Sequence, residues 1–243
     1  MNLEAFPREI KEDIEDQSLE LLASINTDII VIGGWAVRGL VGEEHGRYTL
    51  DIDAVASKDT RERIKEKLIS KGMHPSEADW GIQYFKQYEP EVETPEDVDI
   101  SVVQLRIEIS GPIITEFRSP HYFEFSLKEF VRRTIAFHRG TETIEIRIPP
   151  VEHMAAVKLG LPVDYKNNYD SVMLLRLCEI QDVVEVIRKN DHWDEMVLRR
   201  LPKLIGRISD RNSPAHMLAT NAGVNVRDHI RKLKEIERRL KTK

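Results

Sequence analysis

The sequence predicts an α+β fold, a mixed sheet with flanking helices followed by a helical domain, and three observations carry that prediction. Over residues 28–150 short β-branched runs alternate with amphipathic segments. From Val151 onward nearly every stretch reads at helical period. The change falls at "IRIPPVEH", where Pro149 cannot donate to a ladder and Pro150 suits the first turn of a helix. The 243 residues are therefore expected to form domains 1–149 and 150–243.

Taken in order, "LEAFPREIKEDIEDQSLELLASI" reads as helical towards its later end, and "DIIVIGG" as a buried strand closing on two glycines. "WAVRGLVG" begins a helix, and "YTLDIDAVAS" is the second strand. "KDTRERIKEKLISKG" is a helix with Ile64, Leu68 and Ile69 on one side and Gly72 as its stop. "IQYFKQYE" and "VDISVVQLRIEI" are further strands, and "TIAFHRGTETIEIRI" is a hairpin turning near Arg139 and Gly140. Alternation in Ile144, Ile146 and Ile148 marks its second strand.

Composition narrows the classes of function. With 41% hydrophobic and 32% charged residues the chain has enough apolar surface to fold, which excludes wholesale disorder. No apolar run approaches the roughly 20 residues of a membrane span, and the opening residues lack a signal peptide's basic and apolar regions. A cytoplasmic protein with no membrane partner is expected. The single cysteine, Cys178, cannot form an internal disulfide and reads as a core residue. The net charge of −6 hides an asymmetry: residues 188–243 hold 15 Lys and Arg against 7 Asp and Glu. Such a basic segment is either a nucleic-acid contact, through phosphate neutralisation, or a solvated helix face.

The chemistry concentrates in "VIGGWAVRGLVGEEHGRYTLDIDAVAS". Side chains two apart on a strand share a face, so Asp51 and Asp53 project together. Two like charges so placed call for compensation, and a divalent cation supplies it. Magnesium, with manganese in the same role, suits carboxylates combined with substrate phosphates. Gly33 and Gly34 follow a strand and open a helix, where backbone N–H groups meet an anion without Cβ obstruction. That arrangement suits a nucleoside triphosphate. A third carboxylate is expected in "EDVDISVV", at Asp99 inside the strand rather than at Asp97, which ends an acidic loop. His45, His121, His138 and His153 show no metal-ligand spacing to one another and read as core or surface residues.

The series "GGWAVRGLVG", "RYTLDIDAV" and "VDISVV" resembles the nucleotidyltransferase superfamily related to DNA polymerase beta, over roughly the first 105 residues. Within it the chain looks most similar to the toxin-type branch of type IV toxin/antitoxin systems. The resemblance implies metal ligation by Asp51, Asp53 and Asp99, and nucleotide contacts from Arg47 and Thr49 beside Gly33 and Gly34. It further implies a lysine position at Lys158, an arginine at Arg176 and a final aspartate at Asp182, although Cys178 and Glu179 stand where the branch often has Lys-Asp. On residue chemistry Lys158 is either a phosphate contact or a snorkelling surface lysine, and Asp182 either orients Lys158 or pairs with another base.

The expected activity is metal-dependent transfer of a nucleotidyl group from a nucleoside triphosphate to a hydroxyl on RNA, protein or a small molecule. A protein partner such as an antitoxin, and an RNA acceptor held by the basic segment, are further expectations. The alternative is a catalytically silent nucleotide-binding or nucleic-acid-binding protein on the same fold.

Overall fold

The computed structural model describes residues 6–78, 81–89, 103–115 and 121–242. In chain order its elements are α1 (Arg8–Ala23), β1 (Ile30–Ile32), α2 (Gly33–Val41), β2 (Ile52–Val55), α3 (Lys58–Ser70), β3 (His74–Ala78), β4 (Gly81–Tyr88) and β5 (Val103–Ser110). Then follow β6 (Ile113–Thr115), β7 (Tyr122–Glu124), β8 (Val131–Ala136), β9 (Thr143–Ile148), α4 (Val151–Gly160), α5 (Tyr165–Leu175), α6 (Ile180–Lys189), α7 (Trp193–Ser209), α8 (Pro214–Asn221) and α9 (Val226–Lys241).

Five strands form a mixed sheet in the order β1-β2-β5-β4-β3. β2 and β5 run parallel, and the other neighbours are antiparallel. Parallel pairing of β2 with β5 requires the intervening chain to cross over, and α3 lies in that connection. The α+β class, the mixed sheet and the helical C-terminal region thus match the expectation. Two short hairpins, β6·β7 and β8·β9, stand outside the five-stranded sheet. The second turns through Gly140 at φ 77°, as its glycine implied.

Contacts divide the chain into two compact units. The first comprises Met1–Gly39, Arg47–Pro112 and Leu127–Ile148, and the second Leu40–Gly46, Ile113–Ser126 and Pro149–Lys243. The second unit therefore includes two segments from within the first 149 residues. Both are short stretches whose neighbours in space are distant in sequence, which periodicity does not register.

In the first unit β5 alternates cleanly. Val103, Leu105, Ile107 and Ile109 are buried, while Arg106 and Glu108 face the opposite side. Alternation over four apolar positions fixes the register, because a one-residue slip would expose every one of them. β2 buries Ile52 and Ala54 in the same phase and leaves Asp53 half-exposed. α3 is capped by Ser57, whose side chain accepts from the Thr60 amide at 3.3 Å, and it ends before Gly72 at φ 79°. Ile64 and Leu68 are buried, but Ile69 is 47% exposed. Position 69 lies about 100° around the helix from Leu68, beyond the stripe that Ile64 and Leu68 define.

The second unit is helical because each of α4 to α9 finds a buried face and three of them find a side-chain cap. Asp164, Ser213 and Asn225 accept from backbone amides at the starts of α5, α8 and α9. α4 is buried on nearly all sides from Met154 to Gly160. A Cβ at Gly160 would collide with the Trp193 indole, whose Nε1 donates to the Ala156 carbonyl at 3.0 Å. Glycine therefore lets α4 and the start of α7 approach closely. No helix among the described residues is long and apolar enough to cross a membrane.

Candidate active site

The glycine pair and the aspartate pair meet in the first unit. β1 ends at Ile32, which sits opposite Asp53 in the antiparallel ladder. α2 starts directly at Gly33, so its first N–H groups open beside that aspartate. Gly33 has φ 66°, and a Cβ there would collide with the Asp53 carboxylate, so glycine is required by both backbone and space. A Cβ on Gly34 would lie 2.7 Å from Thr49 Cγ2 and 3.1 Å from Arg47 Nη2. Six residues expected at the site, Gly33, Gly34, Arg47, Thr49, Asp51 and Asp53, are therefore brought together.

The parallel register aligns Asp53 with Glu108, and β4 aligns Gln83 with Glu108. Two-residue periodicity then puts Asp51, Asp53, Arg106 and Glu108 on one face of the sheet. Arg106 Nη2 donates to Asp51 Oδ2 at 2.8 Å, and its Nε lies 3.4 Å from Glu108 Oε1. Gln83 Nε2 donates to the same Glu108 oxygen at 2.6 Å. Burial works against the guanidinium charge of Arg106, but Asp51, Glu108 and Asp53 outweigh it and raise the pKa above the usual value. Asp51 is 36% exposed and Glu108 27%, so the face is reachable from solvent.

Sequence reasoning did not find Arg106 and Glu108. The available signal was their position in "VQLRIEIS", where two charged residues interrupt one face of an otherwise apolar alternation. Asp99 and its competitor Asp97 lie outside the described residues.

The approach to Asp51 is anchored by α1. Glu15 is fully buried and accepts from the Thr49 amide, from Arg38 Nη1 at 2.5 Å, and contacts His138 Nε2 at 2.6 Å. Ser18 Oγ donates to the Leu50 carbonyl at 3.1 Å. Asp16 accepts from the amides of His138 and Arg139 at 2.7 and 2.9 Å. The buried Glu15 carboxylate and the Ser18 hydroxyl of α1 thus hold the two residues before the aspartate pair, Thr49 and Leu50. Trp35, beside the glycines, is fully buried as a packing residue.

Lys158 and Asp182 belong to the second unit. Lys158 is 7% exposed, with Nζ 2.9 Å from Asp170 Oδ2 and 3.0 Å from Asn167 Oδ1. His45 Nε2 lies 3.3 Å from the other oxygen of Asp170. Lys158 is therefore a buried, paired lysine whose partner is Asp170, whereas Asp182 is exposed in the first turn of α6. Arg176 Nη1 pairs with Glu44 at 2.9 Å. Cys178 is buried, and burial first, with nearby Glu152, pushes its thiol up to about 12, so it is an inert core residue.

The basic segment makes many local pairs. Arg231 meets Asp228, Arg238 and Arg239 meet Glu235, and Lys241 meets Glu237, all along α9. Arg188 donates to the Arg239 and Thr242 carbonyls at the helix end. This is the pattern of a solvated, salt-bridge-laced helix face.

The aminoglycoside-2''-adenylyltransferase family model matches residues 16–136, a span that holds the glycines, Asp51, Asp53, Arg106 and Glu108. Three solved structures are similar across nearly the whole chain. A Helicobacter pylori protein assigned as a nucleotidyltransferase has 15% identity and a TM-score of 0.49, with 96% of this chain and 99% of that one covered. JHP933, also from Helicobacter pylori, has 16% identity and a TM-score of 0.45, with 93% and 97% covered. MenT4, a nucleotidyltransferase toxin of Mycobacterium tuberculosis, has 12% identity and a TM-score of 0.44, with 98% and 86% covered. No curated protein matches the chain.

Proposed function

The chain belongs to the nucleotidyltransferase superfamily, and from that premise we propose that it transfers a nucleotidyl group from a nucleoside triphosphate to a hydroxyl at the face carrying Asp51 and Asp53. The observation that carries the reading is the packing of Asp53 against Gly33, which joins an anion-binding helix start to a pair of metal-type carboxylates. Two carboxylates completed by substrate phosphates suit magnesium or manganese, both of which take oxygen donors. When bound, such an ion supplies charge stabilisation at the phosphate and activation of the attacking hydroxyl.

The roles of the chain's own residues follow from their places. Asp51 and Asp53 present hard oxygens. The N–H groups at Gly33 and Gly34 face the triphosphate, and Arg47 and Thr49, next to Gly34, bind its oxygens. The acceptor oxygen bonds to the α-phosphorus, the bond to the bridging oxygen breaks, and pyrophosphate leaves. The acceptor's proton passes to a carboxylate, for which Glu108 stands in register and Asp99 remains the alternative. Lys158, closed on Asp170, is assigned a supporting rather than a direct phosphate role, and Asp182 is assigned to nucleotide binding only if its removal raises KM.

The acceptor is proposed as a small polyhydroxylated amine, because the matching family is named for adenylyl transfer to an aminoglycoside. RNA, a protein hydroxyl and an antitoxin-regulated role are tested beside it. One observation favours the silent alternative: Arg106 already neutralises Asp51. Incubation with each labelled triphosphate, magnesium and a panel of aminoglycosides, RNA and protein decides between them. Labelled product and pyrophosphate from the parent, lost in Asp51→Asn/Asp53→Asn, support transfer. Magnesium-dependent triphosphate binding without any product sinks it in favour of the silent reading.

A further inference from the structure

We propose that His121, His192 and Glu195 form a second metal site, in the helical unit, of the type that takes zinc rather than magnesium. One donor atom from each residue lies within 4.8 Å of the other two. Glu195 lies between the two imidazoles, with Oε1 3.1 Å from His192 Nδ1 and Oε2 3.8 Å from His121 Nε2. The two imidazoles are 6.0 Å apart between centroids and inclined at 51°, so they flank the carboxylate instead of stacking on each other.

With donors within 4.8 Å of one another, the trio sits somewhat wider than a bound tetrahedral ion would hold it. Zinc bonds to nitrogen and oxygen of about 2.0–2.2 Å place adjacent donors roughly 3.4 Å apart. The trio therefore closes around an ion by side-chain rotation. Two imidazoles with one carboxylate make a borderline donor set, which selects zinc, cobalt, nickel or copper over the oxygen-preferring magnesium and calcium. With three protein donors, a fourth position is left for water. His192 and Glu195 are 61% and 59% exposed and His121 is 16% exposed, so an ion can enter from solvent.

The backbone on both sides is already fixed. The three residues after His121 dock on the turn that carries His192. Tyr122 Oη donates to Asp191 Oδ2 at 2.9 Å, the Phe123 ring meets Trp193 edge-on at 5.6 Å, and the Glu124 amide donates to Asn190 Oδ1 at 2.8 Å. His121 and His192 are thus held opposite each other by contacts that do not involve the imidazoles. Pre-placed ligands reduce the ordering cost of binding. An ion there would tie β7 to the start of α7 and stabilise the folded state by mass action.

The test uses the full chain carrying Asp51→Asn/Asp53→Asn, so that the carboxylate face of the first unit cannot bind the probe. Zinc chloride is titrated calorimetrically in excess magnesium, and cobalt chloride is followed by visible absorption. One zinc equivalent is expected, with a rise in melting temperature and the intense cobalt bands of a four-coordinate site. His121→Gln, His192→Asn and Glu195→Gln should each weaken zinc at least roughly ten-fold and abolish the thermal shift. Asparagine is chosen at position 192 because that residue has φ 56°, which Asn adopts readily. Circular dichroism checks that each variant is folded. No zinc uptake in the background protein, or uptake unchanged in folded His192→Asn and His121→Gln, overturns the site and leaves a pair of histidines ion-paired to one carboxylate.

Discussion

In the first unit Asp51 and Glu108 share one half-exposed guanidinium, Arg106, on a face they occupy with Asp53. In the second unit Asp170 is fully buried, with Lys158 on one oxygen and His45 on the other. Each holds a residue that the sequence nominates for the site, Asp51 in the first and Lys158 in the second. The difference lies in completeness. Burial of Asp170 forces each charge to have its counterpart within the protein, since an unpaired buried ion costs several kcal/mol. The carboxylates around Arg106 keep part of their hydration. Open clusters accept ligands, whereas closed ones hold structure.

Breaking the closed cluster should have the largest effect. Lys158→Met takes the ammonium away from the buried Asp170 carboxylate, and a loss of about 3 kcal/mol is expected by urea denaturation. Adding Asp170→Leu should return most of it. If Lys158→Met leaves stability unchanged but raises the KM for triphosphate, the lysine is a substrate contact and the contrast fails.

A second closed feature responds to pH. Burial first, and then Lys232, lowers His229 from 6.5 to about 4. The folded state thus holds this histidine neutral, so its stability is full above the unfolded pKa and is lost as pH falls from about 6.5 towards 4. That loss amounts to about 3 kcal/mol once both states are protonated, with a plateau below pH 4. His229→Leu should flatten the pH dependence of the urea midpoint over this window, and an unchanged slope would remove His229 as its source.

The open cluster is expected to show its effects in activity instead. Glu108→Gln, which deletes a charge without changing shape, should lower kcat roughly 100-fold while the melting temperature moves little. Asp99→Asn provides the competing assignment: a larger kcat loss there, with Glu108→Gln active, would place the proton acceptor on Asp99. The smallest effect belongs to Arg106→Gln. Removing the resident cation should strengthen apparent magnesium binding several-fold, on the order of 1 kcal/mol. Weaker magnesium binding in that variant would show that Arg106 helps to build the site.

Much of this was legible from local patterns. The glycines at the end of "DIIVIGG" and the pair in "LDIDAV" announced a strand, a helix start and a shared strand face, because each depends on residues within one or two turns of chain. The end of β9 and the start of α4 on either side of Pro149 and Pro150 were visible for the same reason, as were the stop at Gly72 and the turn at Gly140. The family resemblance rested on that same ordered set. Lys158 could not be placed from its own surroundings, since α4 is apolar around it and its partner Asp170 lies on the next helix.

The sequence by itself determined the class of fold, the glycine turn and the two carboxylates at the start of β2, all products of short-range sterics and strand periodicity. Tertiary structure alone decided three further matters. It chose the strand beside β2, and with it the alignment of Glu108 to Asp53, because register between distant strands is set by burial of Ile107 and Ile109 and not by either strand alone. It decided that Lys158 is enclosed, because only the packing of α4 on α5 brings Asp170 to it. It also brought His121 to His192 and Glu195, since the contacts of β7 with residues 190–193 join segments whose separation in the chain carries no metal-binding signature.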